Sequence, residues 1–251
     1  MARSRTKTRG SRPRLLGQLA VAVITGGSRG IGLAIARGLA QQGCNLVITG
    51  RQLASLEKIG RDLARSGVRV MVKVCDVRSP ESVEGFAASI KRQFGRVDVL
   101  VNNAGIAHAS LPVEKLSFED WKGVIETNLT GVFLVTRAVL PLMRRGGTIV
   151  NNLSVAAKQV FAGWAAYNAS KHGALGLTGT LREELRPRGI RVIALLPGAT
   201  DTDIWDAPWP NAPRKKMMSA ETVAQAVVDA LLLPADTTVE EVTILPTTGS
   251  L

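Results

Sequence analysis

The chain contains one tyrosine, Tyr167 in the segment AAYNASKHG, and Lys171 follows it four residues later. Positions four apart share one face of a helix, so the phenol and the ammonium point into the same space. A free phenol titrates near 10, too high for efficient proton transfer at neutral pH, and a fixed cation beside it favours phenolate and lowers that value. Such a pair can give a proton to a carbonyl oxygen or take one from an alcohol. Ser154, which ends the apolar run GTIVNNLS ahead of the tyrosine, can hold the same oxygen. Taken alone, the Y-x-x-x-K spacing is equally an ordinary pair on an amphipathic helix. What surrounds it decides.

The runs at 19–25, 44–49, 68–75, 97–102, 147–154, 190–197 and 239–245 are rich in Val, Ile and Leu and mostly unalternated, as strands covered on both faces are. Amphipathic stretches at 30–42, 52–66, 80–94, 118–144, 164–186 and 219–233 read as the helices between them. This alternation predicts an α/β fold: a doubly wound, seven-stranded parallel sheet with helices on both faces. Ligands of such sheets bind at the carboxyl ends of the strands, which is where Ser154 falls. No linker, repeat or low-complexity segment divides residues 18–251, so they read as one domain with an irregular stretch at about 198–218.

The first strand runs into TGGSRGIG, Thr25 to Gly32, and directly into a helix. Glycines let a backbone turn sharply against a pyrophosphate, which then sits at the helix N-terminus. The spacing Gly26, Gly30, Gly32 departs from the common G-x-G-x-x-G, so the order of strand, cluster and helix carries the reading. At the end of the second strand, where an acidic residue would hold a ribose 2′-hydroxyl, stand Thr49, Gly50 and Arg51; no Asp or Glu precedes Glu57. With no carboxylate to repel a 2′-phosphate and Arg51 available to pair with it, NADP(H) is expected over NAD(H), and Arg29 can supply a second cation.

TGGSRGIG, NNAG (Asn102–Gly105), Ser154, YNASK and PGATDT (Pro197–Thr202) together resemble the short-chain dehydrogenase/reductase family, in its order and spacing, over about residues 19–246. The likeness is to the single-domain branch that includes β-ketoacyl reductases and tropinone-reductase-like enzymes, and it implies a Rossmann fold. It further implies that Tyr167 is the general acid/base, that Lys171 tunes it and binds the nicotinamide ribose, and that Ser154 orients the substrate carbonyl. Asn128 would hold a water that relays protons from Lys171. Toward the cofactor, Gly26, Ser28, Arg29, Gly30, Ile31 and Gly32 would form the phosphate loop, and Asp76 and Val77 would recognise adenine. Asn102 and Asn103 would brace the central strand while Ala104 and Gly105 allow close approach. Pro197, Gly198 and Thr202 would line the nicotinamide. A homotetramer or dimer, built on the helices carrying Asn128 and Tyr167, is also implied. Val155 departs from a position where the family often has a second serine.

Residues 203–218 would form the substrate lid. Trp205, Trp209, Met217 and Met218 there face an apolar or aromatic substrate portion, or pack on the body or a neighbouring subunit. Trp164 and His108 are further candidates for the pocket wall, Lys158 and Gln159 could shape substrate choice, and His172 points to another helix face.

The net charge is +12, but six positive residues sit in MARSRTKTRGSRPR and the remainder carries +6, only moderately basic. The tail at 1–17 is expected to be disordered and solvated. A nucleic-acid or acidic-partner module built on it is the weakest of three readings, behind a carbonyl reductase and an NADP(H)-binding redox sensor without turnover. The intact set Asn128, Ser154, Tyr167 and Lys171 argues against the sensor, which would not need a proton relay. A carrier-bound acyl chain is one candidate substrate beside small ketones, aldehydes and alcohols. No apolar run reaches the roughly 20 residues that span a bilayer, and no apolar segment follows the basic start as in a secretory signal. Cys44 and Cys75 lack metal-ligand spacing and read as buried, reduced thiols, which with the absent signal points to a cytoplasmic protein. No cluster of His, Cys, Asp and Glu suggests a metal.

Overall fold

A computed structural model describes residues 20–249 apart from 207 and 235; the basic tail at 1–17 lies outside the described residues. The chain runs β1 (Val21–Thr25), α1 (Gly30–Gln41), β2 (Asn45–Gly50), α2 (Leu53–Ala64), β3 (Val70–Val74), α3 (Pro80–Gln93) and β4 (Val97–Asn102). It continues through α4 (Phe118–Ile125), α5 (Gly131–Val139), β5 (Met143–Asn152), α6 (Ala165–Leu185), β6 (Arg191–Pro197), α7 (Ala220–Leu232) and β7 (Glu241–Ile244). All seven strands are parallel, in the order β3-β2-β1-β4-β5-β6-β7. This is the doubly wound Rossmann architecture that the alternation of elements predicts. The strand order reverses between β1 and β4, which opens a crevice at their carboxyl ends.

The apolar runs have the expected physical cause. Ala22 and Ile24 of β1 enter one core with α1 and α7, while Val21 and Val23 enter the other with α3, α5 and α6. Every residue of β1 is buried. A strand covered on both faces has no solvent side to alternate toward. Side-chain caps start three helices: Ser79 accepts from Ser82 N, Ser117 from Asp120 N and Ser219 from Thr222 N. The start of α1 has no such cap, because the side chain of Arg29 carries no acceptor for the first N–H groups.

One element departs from the expectation. The stretch 118–144 is not a single regular helix: a π-turn spans Glu126–Thr130 between α4 and α5, and the path ends in a tight turn at Leu140–Leu142. Pro141, which lacks an N–H, stands in that turn. β5 then begins at Met143, and its register against β4 shifts between Val97 and Val99. The path Phe118–Leu142 is long and apolar enough by composition to cross a membrane. Here its apolar side packs on the sheet through Leu134, Val135 and Val139.

Candidate active site

Tyr167 and Lys171 stand one turn apart on α6, at the floor of a cleft of about 460 Å3 that runs along the carboxyl edge of the sheet. Ser154, which follows the end of β5, lines this cleft with Tyr167, and its Oγ accepts from Ala156 N at 3.1 Å. Burial holds the phenol above its ordinary value, and the neighbouring Ser154 hydroxyl offsets part of that rise. Lys171 is 5% exposed, and burial pushes its ammonium down to about 8. The expected lowering of the tyrosine by the lysine is therefore corrected. Lys171 Nζ donates to the Asn152 carbonyl at 3.1 Å and lies over the phenol ring, 5.4 Å from its centre. Desolvation outweighs the charge.

Asn128 sits in the π-turn. Its Oδ1 accepts from Ile106 N at 2.9 Å, and its Nδ2 donates to Ile106 O at 2.9 Å and to Ser170 Oγ at 3.2 Å. An extra residue in the helical turn lets one amide clamp the segment after β4 onto α6. Asn128 does not itself reach the cleft wall, and neither does Gly32; the other anticipated catalytic and cofactor residues line it.

The loop after β1 is built for close approach. Gly26 and Gly30 have φ of 62° and 52°, values that side chains rarely adopt. A Cβ on Gly32 would fall 2.3 Å from Asn103 Nδ2 and 2.5 Å from Gly26 O. Asn103 Nδ2 donates to Thr25 O at 2.9 Å and Gly26 O at 3.0 Å, so it fixes the loop while α1 begins beside it. The uncapped N–H groups of α1, the bare backbone and Arg51, which makes no ion pair among the described residues, suit an extended polyanion such as the pyrophosphate and 2′-phosphate of NADP(H).

Several residues escaped the sequence. Arg78 grips Asp76, donating from Nη2 to Oδ2 at 2.7 Å and from Nε to Oδ1 at 3.0 Å, and it holds that carboxyl below its ordinary value. The Asn152 carbonyl holds Lys171, while the Asn152 side chain donates to Asn103 Oδ1 at 2.8 Å. Asp203 meets Arg29 across the mouth of the cleft at 3.4 Å. Arg214 ties the loop together, donating to Asp201 at 2.9 Å, Asp206 at 2.6 Å and the Thr202 carbonyl at 2.6 Å. Charged residues in an irregular stretch look solvated in sequence, and only the folded loop pairs them.

The loop 198–218 is closed at its feet by Met218 N to Ala199 O at 3.0 Å and Asp201 N to Met218 O at 2.8 Å. Trp205 and Trp209 line the cleft, but Met218 packs against the core beneath it and Met217 does not reach the wall. Lys158 pairs with Glu241, and neither it nor Gln159 lines the cleft. His108 stands behind the wall: it is buried, its Nδ1 lies 2.7 Å from the Ala109 carbonyl, and its ring rests 5.9 Å from that of Trp164. His172 is exposed, with Nδ1 2.9 Å from the Asn168 carbonyl. Both cysteines are free and buried, and Cys44 is pushed up to about 12 by burial. Among the described residues, no cluster of His, Cys, Asp and Glu is placed to hold a metal ion.

The family model for short chain dehydrogenase matches residues 20–212. A putative ketoacyl reductase of Streptomyces coelicolor is 41% identical over 201 residues, which is 74% of this chain and 77% of that protein. An alcohol dehydrogenase of the archaeon Thermococcus sibiricus, solved with 5-hydroxy-NADP, superposes with a TM-score of 0.85 at 37% identity, over 91% of this chain and 97% of its own. A variant of actinorhodin polyketide ketoreductase, solved with NADPH, gives 0.80 at 34% identity, over 92% and 98%. Fold, phosphate loop and matched model agree: the chain belongs to the short-chain dehydrogenase family and is an oxidoreductase of carbonyl and hydroxyl groups.

Proposed function

We propose that the protein is an NADP(H)-dependent carbonyl reductase and alcohol dehydrogenase in which Tyr167 is the general acid and base. The observation that carries this reading is one continuous cleft: Ser154, Tyr167 and Lys171 line it together with the glycine loop and Arg51. Gly26, Ser28, Arg29, Gly30 and Ile31 would hold the phosphates, Arg51 the 2′-phosphate, Asp76 and Val77 the adenine, and Pro197, Gly198 and Thr202 the nicotinamide. When bound, NADP(H) supplies or accepts the hydride. The residues of the chain do the rest. Ser154 holds the substrate oxygen beside the phenol. Tyr167, kept protonated by its burial, gives its proton to that oxygen in reduction. Lys171 opposes the negative charge that remains on the tyrosine. Asn128 has both ends of its amide occupied by Ile106 and Ser170, so a water relaying protons from Lys171 would rest on its main-chain oxygen.

Two structures similar to this one were solved with 5-hydroxy-NADP and with NADPH, and the missing carboxylate after β2 supports the same choice here. Exposed Phe118 and Phe133, at 72% and 45%, support an assembly through α4 and α5, as a homotetramer or dimer. Light scattering on the purified chain tests that state. The function is tested by following NADPH consumption over ketones, aldehydes and 3-oxoacyl thioesters, with NADH in parallel. Turnover that prefers NADPH upholds the proposal; tight NADPH binding without turnover of any carbonyl favours the redox sensor.

A further inference from the structure

Three of the four tryptophans of the chain stand in the wall of one cleft. They form a ladder of edge-to-face contacts that begins at the proton donor. Tyr167 meets Trp164 at 5.8 Å between ring centres, Trp164 meets Trp205 at 6.2 Å, and Trp205 meets Trp209 at 6.0 Å, with planes 69° to 76° apart. The ladder is fixed in place. His108 backs Trp164 from the core side, and Trp205 Nε1 donates to the Thr200 carbonyl at 2.9 Å. Arg214 and the paired feet of the loop hold the segment that carries Trp205 and Trp209. Aromatic side chains anchored before binding lose little freedom when a ligand arrives.

Charge sharpens the reading. The cations lining the cleft are Arg29, Arg51, Arg78 and Lys171. The first three stand by the glycine loop, the end of β2 and the turn after β3, and Lys171 lies under the tyrosine. Among the described residues, none accompanies the tryptophans, where Ile106, Val155 and Phe161 complete the wall. The charged groups nearest the ladder in sequence are acids, Asp206 beside Trp205 and Asp203 two residues before it, and they are already paired with Arg214 and Arg29. A carboxylate, sulfonate or phosphate placed there would lose its water without gaining a partner.

Resting on the reductase reading, we propose that the substrate is an uncharged ketone carrying an aryl or fused-ring group. Its carbonyl lies at Ser154 and Tyr167 and its ring against Trp164, Trp205 and Trp209. An aromatic ring buries a large apolar area and gains edge-to-face contacts that a saturated chain of equal carbon number does not make.

The test compares kcat/KM for 2-acetonaphthone, a linear ketone of the same carbon number, and 6-acetyl-2-naphthoic acid. At least a tenfold preference for 2-acetonaphthone over both is expected. Trp164→Leu and Trp205→Leu are each expected to lower the aryl-to-linear ratio at least tenfold, and Trp209→Leu, at an exposed position, guards against a folding defect. In a second arm the alcohol product, 1-(2-naphthyl)ethanol, is titrated into the NADPH-loaded protein while tryptophan emission is followed. Saturable quenching that weakens in Trp205→Leu is expected. Preference for the linear or the carboxylated ketone, or variants that depress all substrates alike, overturns the inference. Quenching without turnover of any carbonyl sinks the reductase reading and leaves the aromatic site standing; absence of quenching sinks the site.

Discussion

The Lys171 ammonium stands over the face of the Tyr167 ring, 5.4 Å from its centre, and its nearest polar partner is the Asn152 carbonyl rather than the phenol oxygen. The two groups thus share a buried floor without an ion pair. Burial acts on each in the direction of its neutral form, raising the phenol and lowering the ammonium to about 8. A neutral phenol is the form that donates a proton to a ketone.

Removing that proton leaves the cleft otherwise intact. Tyr167→Phe keeps the ring and its contact with Trp164 while deleting the hydroxyl that faces the cleft with Ser154. A positioned acid contributes roughly 100- to 10,000-fold, so kcat for reduction is expected to fall by that factor. The dissociation constant for NADPH, measured by its fluorescence, is expected to stay within about threefold, since the general acid acts on the substrate. Turnover that survives the substitution would move the acid elsewhere.

The lysine sets the pH dependence. Below about 8 it is charged and opposes the phenolate that reduction leaves behind, so kcat/KM for reduction is expected to fall as pH rises through about 8. Oxidation of the alcohol needs a phenolate, and because burial holds the phenol above its ordinary value that limb is expected to rise at higher pH than the range in which reduction falls. Lys171→Arg keeps the charge, and the falling limb of reduction should move upward. Stability has the opposite sign. In the unfolded chain the lysine keeps its proton up to about 10.5, so between about 8 and 10.5 its contribution to stability rises with pH. That rise is opposed from about 9 upward by Cys44, Cys75 and Tyr167, which burial holds protonated in the folded state. The window carries on the order of 3 kcal/mol. Urea unfolding at both ends, compared with Lys171→Met, reads that slope.

How far the sequence reached follows from what each interaction depends on. Strands covered on two faces leave continuous Val and Ile runs, and local turn chemistry leaves glycines at Gly26 and Gly30, so the sheet and the phosphate loop are visible in one dimension. The π-turn at Asn128 is not, because one inserted residue leaves the apolar pattern of 118–144 nearly unchanged. The inverted expectation for Tyr167 has a similar root: spacing says that Lys171 is near, whereas burial, which decides the sign, is a property of the packed cleft. Arg78 on Asp76 and Arg214 on Asp201 and Asp206 are pairings of charged residues that in sequence look equally solvated.

Cofactor choice turns on Arg51. A hydrogen bond to a charged phosphate contributes roughly 1.5–3 kcal/mol, or about 10- to 150-fold. Arg51→Ala is expected to raise KM for NADPH by that factor and to leave KM for NADH nearly unchanged. Arg51→Asp, which puts a carboxylate where a ribose 2′-hydroxyl can bond it, is expected to reverse the preference. Steady-state kinetics with both cofactors checks each variant, and equal losses for NADPH and NADH would remove Arg51 from 2′-phosphate recognition.

Arg29 has a competing partner. It sits in the phosphate loop yet meets Asp203 at 3.4 Å, with both side chains more than half exposed. An exposed pair of this kind contributes roughly 0–1 kcal/mol to folding, so neither Arg29→Ala nor Asp203→Asn is expected to shift the melting temperature measurably. Toward NADPH the two should act in opposite directions. Arg29→Ala removes a cation and weakens binding, whereas Asp203→Asn frees that cation and removes a nearby negative charge. Titration calorimetry with NADPH measures both, and tighter binding in Arg29→Ala would show that the arginine serves the loop rather than the ligand.

The tightest packing in the site joins Gly32 to Asn103, and it makes a prediction about pairs of substitutions. Asn103→Ala strips the Thr25 and Gly26 carbonyls of their donor and Asn152 of its acceptor, so a loss of roughly 2–4 kcal/mol is expected with weaker NADPH binding. Gly32→Ala drives a methyl into the Asn103 amide at 2.3 Å and is expected to lose roughly 1–3 kcal/mol by overpacking. In the double variant the methyl enters space that the amide has left. The combined loss should therefore be smaller than the sum, though not zero, because the Gly26 carbonyl still lies 2.5 Å from the new carbon. Urea unfolding of the four proteins in this cycle measures the coupling. Strict additivity would mean that the loop relaxes away from Asn103 independently, and that the amide is not what holds the phosphate loop in register with the catalytic floor.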